Sequence, residues 1–366
     1  MSIAIFKFIN GDIMNMKHLL LFLLIPALFM INHKNAFSSQ ENQETGNAFI
    51  LRANNDFFKR KKNPSSDRRY THGTSLGWIF NKVPSFFNNK FSFDEKYSSF
   101  ILNQDIYTPD NTYTSTLLQD EHPYSGELGL IFGLHLKQYC TPFTINDYQI
   151  DQQYLLSFEL SIGTTGKFSY AGETQKTFHR LTGNAIPQGW ENQLPSHVFA
   201  KLSIAAKRKA NFPLYRDIDL QFIGNIGGDV GNTLVQASCG GEIRVGVNIP
   251  DDFGAFAMGA GSIACNIRGT TIKDHKRIGL YLVFLAEGKY VDYNYHIGKR
   301  VSPVREIGEL GVGWGISSTR VALFNSSHFI IPAFKLNLCY IVRTEEFEEQ
   351  DGQHRFGSAT LAFPWL

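Results

Sequence analysis

Gln175 and His179 stand four residues apart in a stretch from Ser169 to Leu181 whose composition favours a helix, so both would lie on one helix face. Ser169 is placed to cap that helix and Glu173 falls in its first turns. A histidine on a short helix, close to a carboxylate from another element, is suited to work as a general base. A solvated surface histidine is the plainer reading, because the chain has 11 histidines. Earlier in the chain, Arg52-Ala53-Asn54-Asn55-Asp56 closes one extended segment and Asp67-Arg68-Arg69-Tyr70-Thr71-His72-Gly73 opens the next. A hairpin there would gather the Asp56 carboxylate, the Asn55 amide and the Thr71 hydroxyl, hard oxygen donors of the kind Ca²⁺ prefers. An ordinary Asn/Asp turn explains the same residues. A third cluster, Pro187-Gln188-Gly189-Trp190-Glu191-Asn192-Gln193-Leu194, combines a bulky aromatic with amides; taken alone, Trp190 reads as an interfacial anchor.

What must position these groups is a sheet. Alternation of apolar and polar residues recurs along the chain, most clearly from Glu127 to Lys137. There Leu128, Leu130, Phe132, Leu134 and Leu136 share one face, while Glu127, Gly129, Gly133, His135 and Lys137 share the other. The pattern returns from Tyr154 to Gly163, Ile218 to Phe222, Ile243 to Ile249, Phe256 to Ile267, Ile278 to Ala286 and Phe334 to Val342. Segments of about ten residues with an apolar and a polar face suit strands that cross a bilayer around a polar lumen. The expectation is an all-β antiparallel transmembrane barrel of about 12 strands with a short helix in an extracellular loop. A secreted β-sandwich is the structural alternative.

Composition supports export and a membrane. The 366 residues include 31 Phe, 15 Tyr and 32 Gly, yet the mean hydropathy is only −0.17, too polar for a bundle of spanning helices. The net charge of +2 gives no reason to expect a nucleic-acid partner. An apolar run from Leu19 to Ile31 follows Lys17-His18 and precedes Ala36-Phe37-Ser38-Ser39, the layout of a signal peptide spanning residues 1–38, with Met14 or Met16 as the expected initiator. Residues 39–366 then form a single barrel domain whose catalytic motifs fall within 48–200. The aromatic-rich final segment Ser358 to Leu366 resembles a barrel-assembly signal, which makes the barrel-assembly machinery an expected partner. Cys140, Cys239, Cys265 and Cys339 are widely spaced, without zinc-ligand grouping, and stand either as two bridges or as isolated wall residues.

In order along the chain, Asn55-Asp56, Tyr70-Thr71-His72-Gly73, Tyr107-Thr108-Pro109-Asp110, Pro123-Tyr124-Ser125-Gly126, Gln175 to His179 and Gly189-Trp190-Glu191-Asn192-Gln193-Leu194 resemble the motifs of the outer-membrane lipid A 3′-O-deacylase family. The resemblance implies a bacterial outer-membrane enzyme acting on lipid A, or lipopolysaccharide, among outer-membrane lipids. It further implies a Ca²⁺ cofactor and a site at the extracellular rim. His179 then looks like the base that activates water, Asp56 like a metal-site carboxylate, and Asn55, Thr71 and Gln175 like groups that orient base or ester. The chain departs from the pattern at His72, at Ser125, which replaces Ala, and at Pro195-Ser196-His197. Gly183-Asn184-Ala185 also lacks an acidic ligand, which implies either weaker Ca²⁺ affinity or substitution by Glu173 or Glu191. The basic run around Lys61, with Arg68 and Arg69, is expected to meet lipid A phosphates, and Trp190 to meet substrate. No Gly-x-Ser-x-Gly elbow offers a serine nucleophile. The rivals are a phospholipase-type barrel, which would be expected to carry a His-Ser pair, and a non-enzymatic pore or adhesin.

Overall fold

The computed structural model describes residues 47–56, 69–85, 92–145, 148–215, 217–254, 278–318, 321–322, 330–331 and 333–365. The proposed signal segment, Lys61, Arg68, Cys265 and the strand expected from Phe256 to Ile267 lie outside them. Alternation becomes strands β1 (Asn47–Asn55), β2 (Arg69–Phe80), β3 (Glu95–Thr108), β4 (Ser125–Ile145) and β5 (Tyr148–Thr165). One helix, α1 (Ala171–Thr182), precedes β6 (Val198–Tyr215), β7 (Ile218–Gly231), β8 (Leu234–Val247), β9 (Ile278–Asn294) and β10 (Glu306–Ser318). After the two-residue strands β11 (Val321–Ala322) and β12 (Ile330–Ile331), which pair only with each other, come β13 (Phe334–Arg343) and β14 (His354–Trp365).

Every strand outside that small pair joins its neighbour antiparallel, and β1 closes on β14 from Asn47↔Trp365 to Asn55↔Gly357. The result is a closed barrel of twelve strands, which leaves no sheet edge exposed. Both ends of the barrel chain, the start of β1 and the finish of β14, emerge at the same end. The loop carrying α1 is at the other.

The two-residue period separates the faces as expected. Leu130 and Phe132 on β4, Leu160 and Ile162 on β5, and Leu280, Leu282 and Phe284 on β9 are exposed around the outside. Glu127, His135 and Lys137 are buried within the lumen. Leu136, in register with the outer row of β4, is buried as well.

The lumen is packed rather than open. Ile50, Ile79, Tyr97, Ile101 and Leu155 form an apolar cluster that includes Phe253, from the loop after β8. That loop also brings in Asp251 and Asp252. Asp252 accepts from Arg244 at 2.7 Å and from the Gly254 amide at 3.1 Å, and it pairs with Lys335. Asp251 pairs with Lys209 and accepts from Gln153 at 2.8 Å. Carboxylates and ammonium groups at such depth persist only in pairs, so this loop acts as a charge-locked plug at the end that holds the chain termini.

Candidate active site at the outer rim

The register of the first four strands sets the site. Asn55 pairs with His72, His72 with Ile106, and Ile106 with Gly126, which puts these four on the outer face of the wall near the top. One step lower, Asn54, Gly73, Asp105 and Glu127 form the corresponding lumenal row. A register shift between Tyr70 and His72 leaves Thr71 as an extra residue in β2. Its hydroxyl is buried against Thr108 Oγ1 at 2.7 Å. The lumenal side below is held by Tyr70, which accepts from Asn54 at 2.8 Å and donates to Asp105 at 3.0 Å.

α1 packs against the outer row. A Cβ on Gly126 would lie 2.2 Å from Ala171 Cβ and 2.4 Å from Ser169 Oγ, so a glycine is what allows the helix to touch the wall. Ala171 joins Ile106, Tyr124 and Trp190 in one apolar cluster, Gln104 donates to the Ser169 carbonyl at 2.7 Å, and Phe178 stacks on His72 at 6.3 Å. Ser169, expected to cap the helix, instead ends a 3-10 turn, Gly166–Ser169, and Tyr170 occupies the cap position with φ of 55°. The reason is local: Ser169 Oγ donates to the Gly166 carbonyl at 2.6 Å, closing its own turn, and accepts from the Ala171 amide only at 3.3 Å. Gly183, with φ of 71°, reverses the chain at the other end.

That reversal orients the histidine. It returns the Ala185 carbonyl to 2.6 Å from His179 Nδ1. A carbonyl only accepts, so Nδ1 carries the ring proton and Nε2 is the basic atom of the neutral imidazole. Gln175, buried one turn earlier, accepts from the Trp190 indole at 2.7 Å, and Trp190 packs on Tyr124 at 4.9 Å. Asn55 Nδ2 donates to the Thr71 carbonyl at 3.3 Å and faces His72 Nδ1 at 3.4 Å, which turns the amide oxygen to the other side.

Not every anticipated residue joins this group. Glu173 is exposed on α1, about 120° around the helix from His179 and about 160° from Gln175. It lines a different cavity, with Lys176 and Glu191. Arg69, expected to meet phosphates, is buried: it donates to the Asp351 carbonyl at 3.3 Å and sits 5.8 Å from the Phe347 ring, fastening the loop between β13 and β14. Trp190, expected at the substrate, is 3% exposed; its indole backs Gln175 and also lines the cavity of Glu173. Among the described residues, no three His, Cys, Asp or Glu side chains gather as a metal site. The donor types suit a hard oxygen-seeking ion nonetheless: Asp56 is a buried carboxylate, and Asn55, its neighbour in the chain, reaches the Thr71 carbonyl. Cys140, Cys239 and Cys339 are free thiols.

A family model described as outer membrane protein LpxR matches residues 20–365. The chain belongs to the LpxR family. The solved LpxR from Salmonella typhimurium shares its fold at 17% identity, with a TM-score of 0.64 over 87% of this chain and 100% of that one. The Bordetella autotransporter BrkA β-domain (11% identity, TM-score 0.38, 87% of this chain and 99% of that) and the NalP translocator domain of Neisseria meningitidis (8%, 0.36, 94% and 93%) are more distant barrels. No curated protein matches. As an LpxR-family barrel of the outer membrane, the chain has its plugged end toward the periplasm and α1 beside the outer leaflet.

One polar chain in this LpxR-family rim escaped the sequence reading. Ser125 Oγ lies 2.8 Å from His296 Nδ1, and His296 Nε2 lies 3.1 Å from Glu127, which also faces Lys201 at 3.6 Å. All three residues are buried in the lumen, and His296 stacks on Tyr107 at 4.5 Å. The chain therefore ties the turn after β9 to the top of β4. Ser125 was visible only as a departure from the family motif. Nothing local marks His296, which lies 171 residues away from its partner.

Proposed function

We propose that this barrel hydrolyses the 3′-linked fatty acyl ester of lipid A, using water activated by His179. The observation that carries the reading is the position of His179: it sits on a helix held to the outside of the wall, at the end facing the outer leaflet, with its basic nitrogen defined by the Ala185 carbonyl. A base inside the lumen would not meet a lipid. Family membership supports the same substrate class.

The chemistry needs a nucleophile, an acceptor for its proton and positive charge near the carbonyl oxygen. Water between His179 Nε2 and the ester carbon loses its proton to the ring as the carbon–oxygen bond forms. The Nδ1–H bond to Ala185 steadies the imidazolium that results. When the tetrahedral centre collapses, the ring returns the proton to the departing sugar oxygen, leaving a free hydroxyl and a fatty acid. Gln175, fixed by Trp190, holds the helix face on which the base stands. Asp56 and Asn55 would hold Ca²⁺, which when bound supplies positive charge to the carbonyl oxygen.

The test is mass spectrometry of lipid A from cells expressing the protein or its His179→Ala variant. Loss of one 3′-linked acyl or acyloxyacyl mass with the parent protein alone is expected. An unchanged lipid A profile from inserted parent protein, or equal loss with the variant, overturns the proposal.

A further inference from the structure

We propose that the cavity between α1 and the segment from Trp190 to Ser196 binds the phosphorylated sugar headgroup of the lipid, on the side of the helix that adjoins the ester-cutting face. This rests on the reading above for the identity of the lipid. The cavity measures about 520 Å³, within the range of small-molecule sites. Lys167, Glu173, Lys176, Glu191, Gln193 and Ser196 line it.

Its frame is fixed. Trp190 is clamped by Gln175 and Tyr124, the Leu194 amide donates to the Tyr124 carbonyl at 2.9 Å, and the Pro195 carbonyl accepts from Thr165 at 3.3 Å and from the Tyr295 hydroxyl. Ser196 Oγ accepts from the Phe168 amide at 3.4 Å. Gly172 lets the helix lie close to the indole, since a Cβ there would come to a tight 3.0 Å from Trp190.

The charged lining, by contrast, has no occupation within the protein. Lys167, Glu173, Lys176 and Glu191 make no side-chain hydrogen bond or ion pair among the described residues. Gln193 Oε1 is buried with no hydrogen-bond partner among them. A rigid cavity that presents two ammonium groups, two carboxylates and a buried carbonyl suits a ligand with both anionic oxygens and several hydrogen-bond donors. A phosphorylated hexosamine has both: phosphate for the lysines, hydroxyls and amide N–H for Glu191, Glu173 and Gln193. Phosphoethanolamine also has a phosphate and donors, but its donors sit on one nitrogen, whereas those of a hexosamine are spread around a ring. Gly172, Lys176 and Glu173 stand about 20°, 60° and 120° around the helix from His179, so a disaccharide reaching around that side brings an ester to His179 while a phosphate occupies the cavity. The site also gives a role to Gly189-Trp190-Glu191-Asn192-Gln193-Leu194, with Trp190 as its wall and Gln193 as an acceptor inside it.

Calorimetry on the full-length barrel in phosphatidylcholine nanodiscs tests this, with the soluble deacylated bisphosphorylated glucosamine disaccharide as probe. Saturable binding is expected, at least tenfold weaker for the dephosphorylated disaccharide and for phosphoethanolamine. Lys167→Ala/Lys176→Ala and, separately, Gln193→Leu should each weaken it at least tenfold, and His179→Ala should bind as the parent does. In lipid A cleavage the lysine pair should raise KM at least tenfold with kcat within about twofold. Headgroup binding without any ester cleavage would keep this site and overturn the role of His179. Cleavage with unchanged KM in the lysine variant, absent headgroup binding by the parent, or a preference for phosphoethanolamine would overturn the site.

Discussion

At the scale of the single residue, the partner of one ring nitrogen decides what the other can do. His179 Nδ1 is committed to Ala185, so replacement by Ala removes the base without touching the barrel. The acyl-release rate should fall by about 10²–10⁴-fold, measured on inserted protein. The metal reading makes a separate prediction, because a site with one carboxylate holds Ca²⁺ weakly. Activity should rise with free Ca²⁺ at a midpoint of about 10⁻⁴–10⁻³ M, and Asp56→Asn should move that midpoint up at least tenfold; an unmoved midpoint removes Asp56 as the ligand. His122, in the loop before β4, is a third case. Burial pushes its imidazole down to about 4 from the ordinary 6.5, and it stacks on Tyr107 at 5.5 Å with Nδ1 2.7 Å from the Pro123 carbonyl. The folded ring stays neutral between those values while the unfolded one is protonated, so the unfolded state binds more protons there. Stability of this loop should therefore fall as pH drops from about 6.5 to 4, by at most about 3 kcal/mol, and level off below. Limited proteolysis at stepped pH reads this, and His122→Phe should flatten the profile.

At the scale of the element, the helix and wall are held by contacts that a side chain one carbon too large would break. Gly126→Val would drive its Cβ into Ala171 and Ser169. The helix should leave the wall, and activity should drop at least tenfold while the strands remain intact by circular dichroism. Gln175→Leu leaves the buried Trp190 indole without its acceptor, at a cost of about 1–3 kcal/mol to the loop. The Ser125–His296–Glu127 chain works at this scale too, joining the β9 end of the barrel to β4 across the lumen.

At the scale of the whole molecule, the periplasmic plug argues for a barrel that contains its charges rather than conducting ions. Asp252→Ala removes from the buried Lys335 and Arg244 the carboxylate that both share, leaving Arg244 only Glu242 at 3.5 Å and a backbone carbonyl. Destabilisation of about 3–5 kcal/mol is expected, read as a lower unfolding midpoint in urea. A variant as stable as the parent would show that the plug is dispensable.

The sequence alone determined what depends on local periodicity and residue chemistry. Two-residue alternation, lipid outside and lumen inside, placed strands such as β4 and β9 and yielded about twelve, and Gln175 and His179 shared a helix face because a helix turns every 3.6 residues. Tertiary structure decided what depends on register between distant segments. The bulge at Thr71 and the pairing of Asn55, His72, Ile106 and Gly126 put α1 outside the wall. They also left Arg69 buried in the loop between β13 and β14, 282 residues from its partner, where composition suggested a surface phosphate ligand. Glu173 was a stand-in for an acidic ligand of the family motif that this chain lacks, but a helix assigns partners by angle, and its angle turns it to the cavity beside Trp190. The charged plug was equally invisible, since apart from Arg244 with Asp252, eight residues apart, its pairs join distant strands to the loop, and only closure of the barrel brings Lys335 and Lys209 within reach of it.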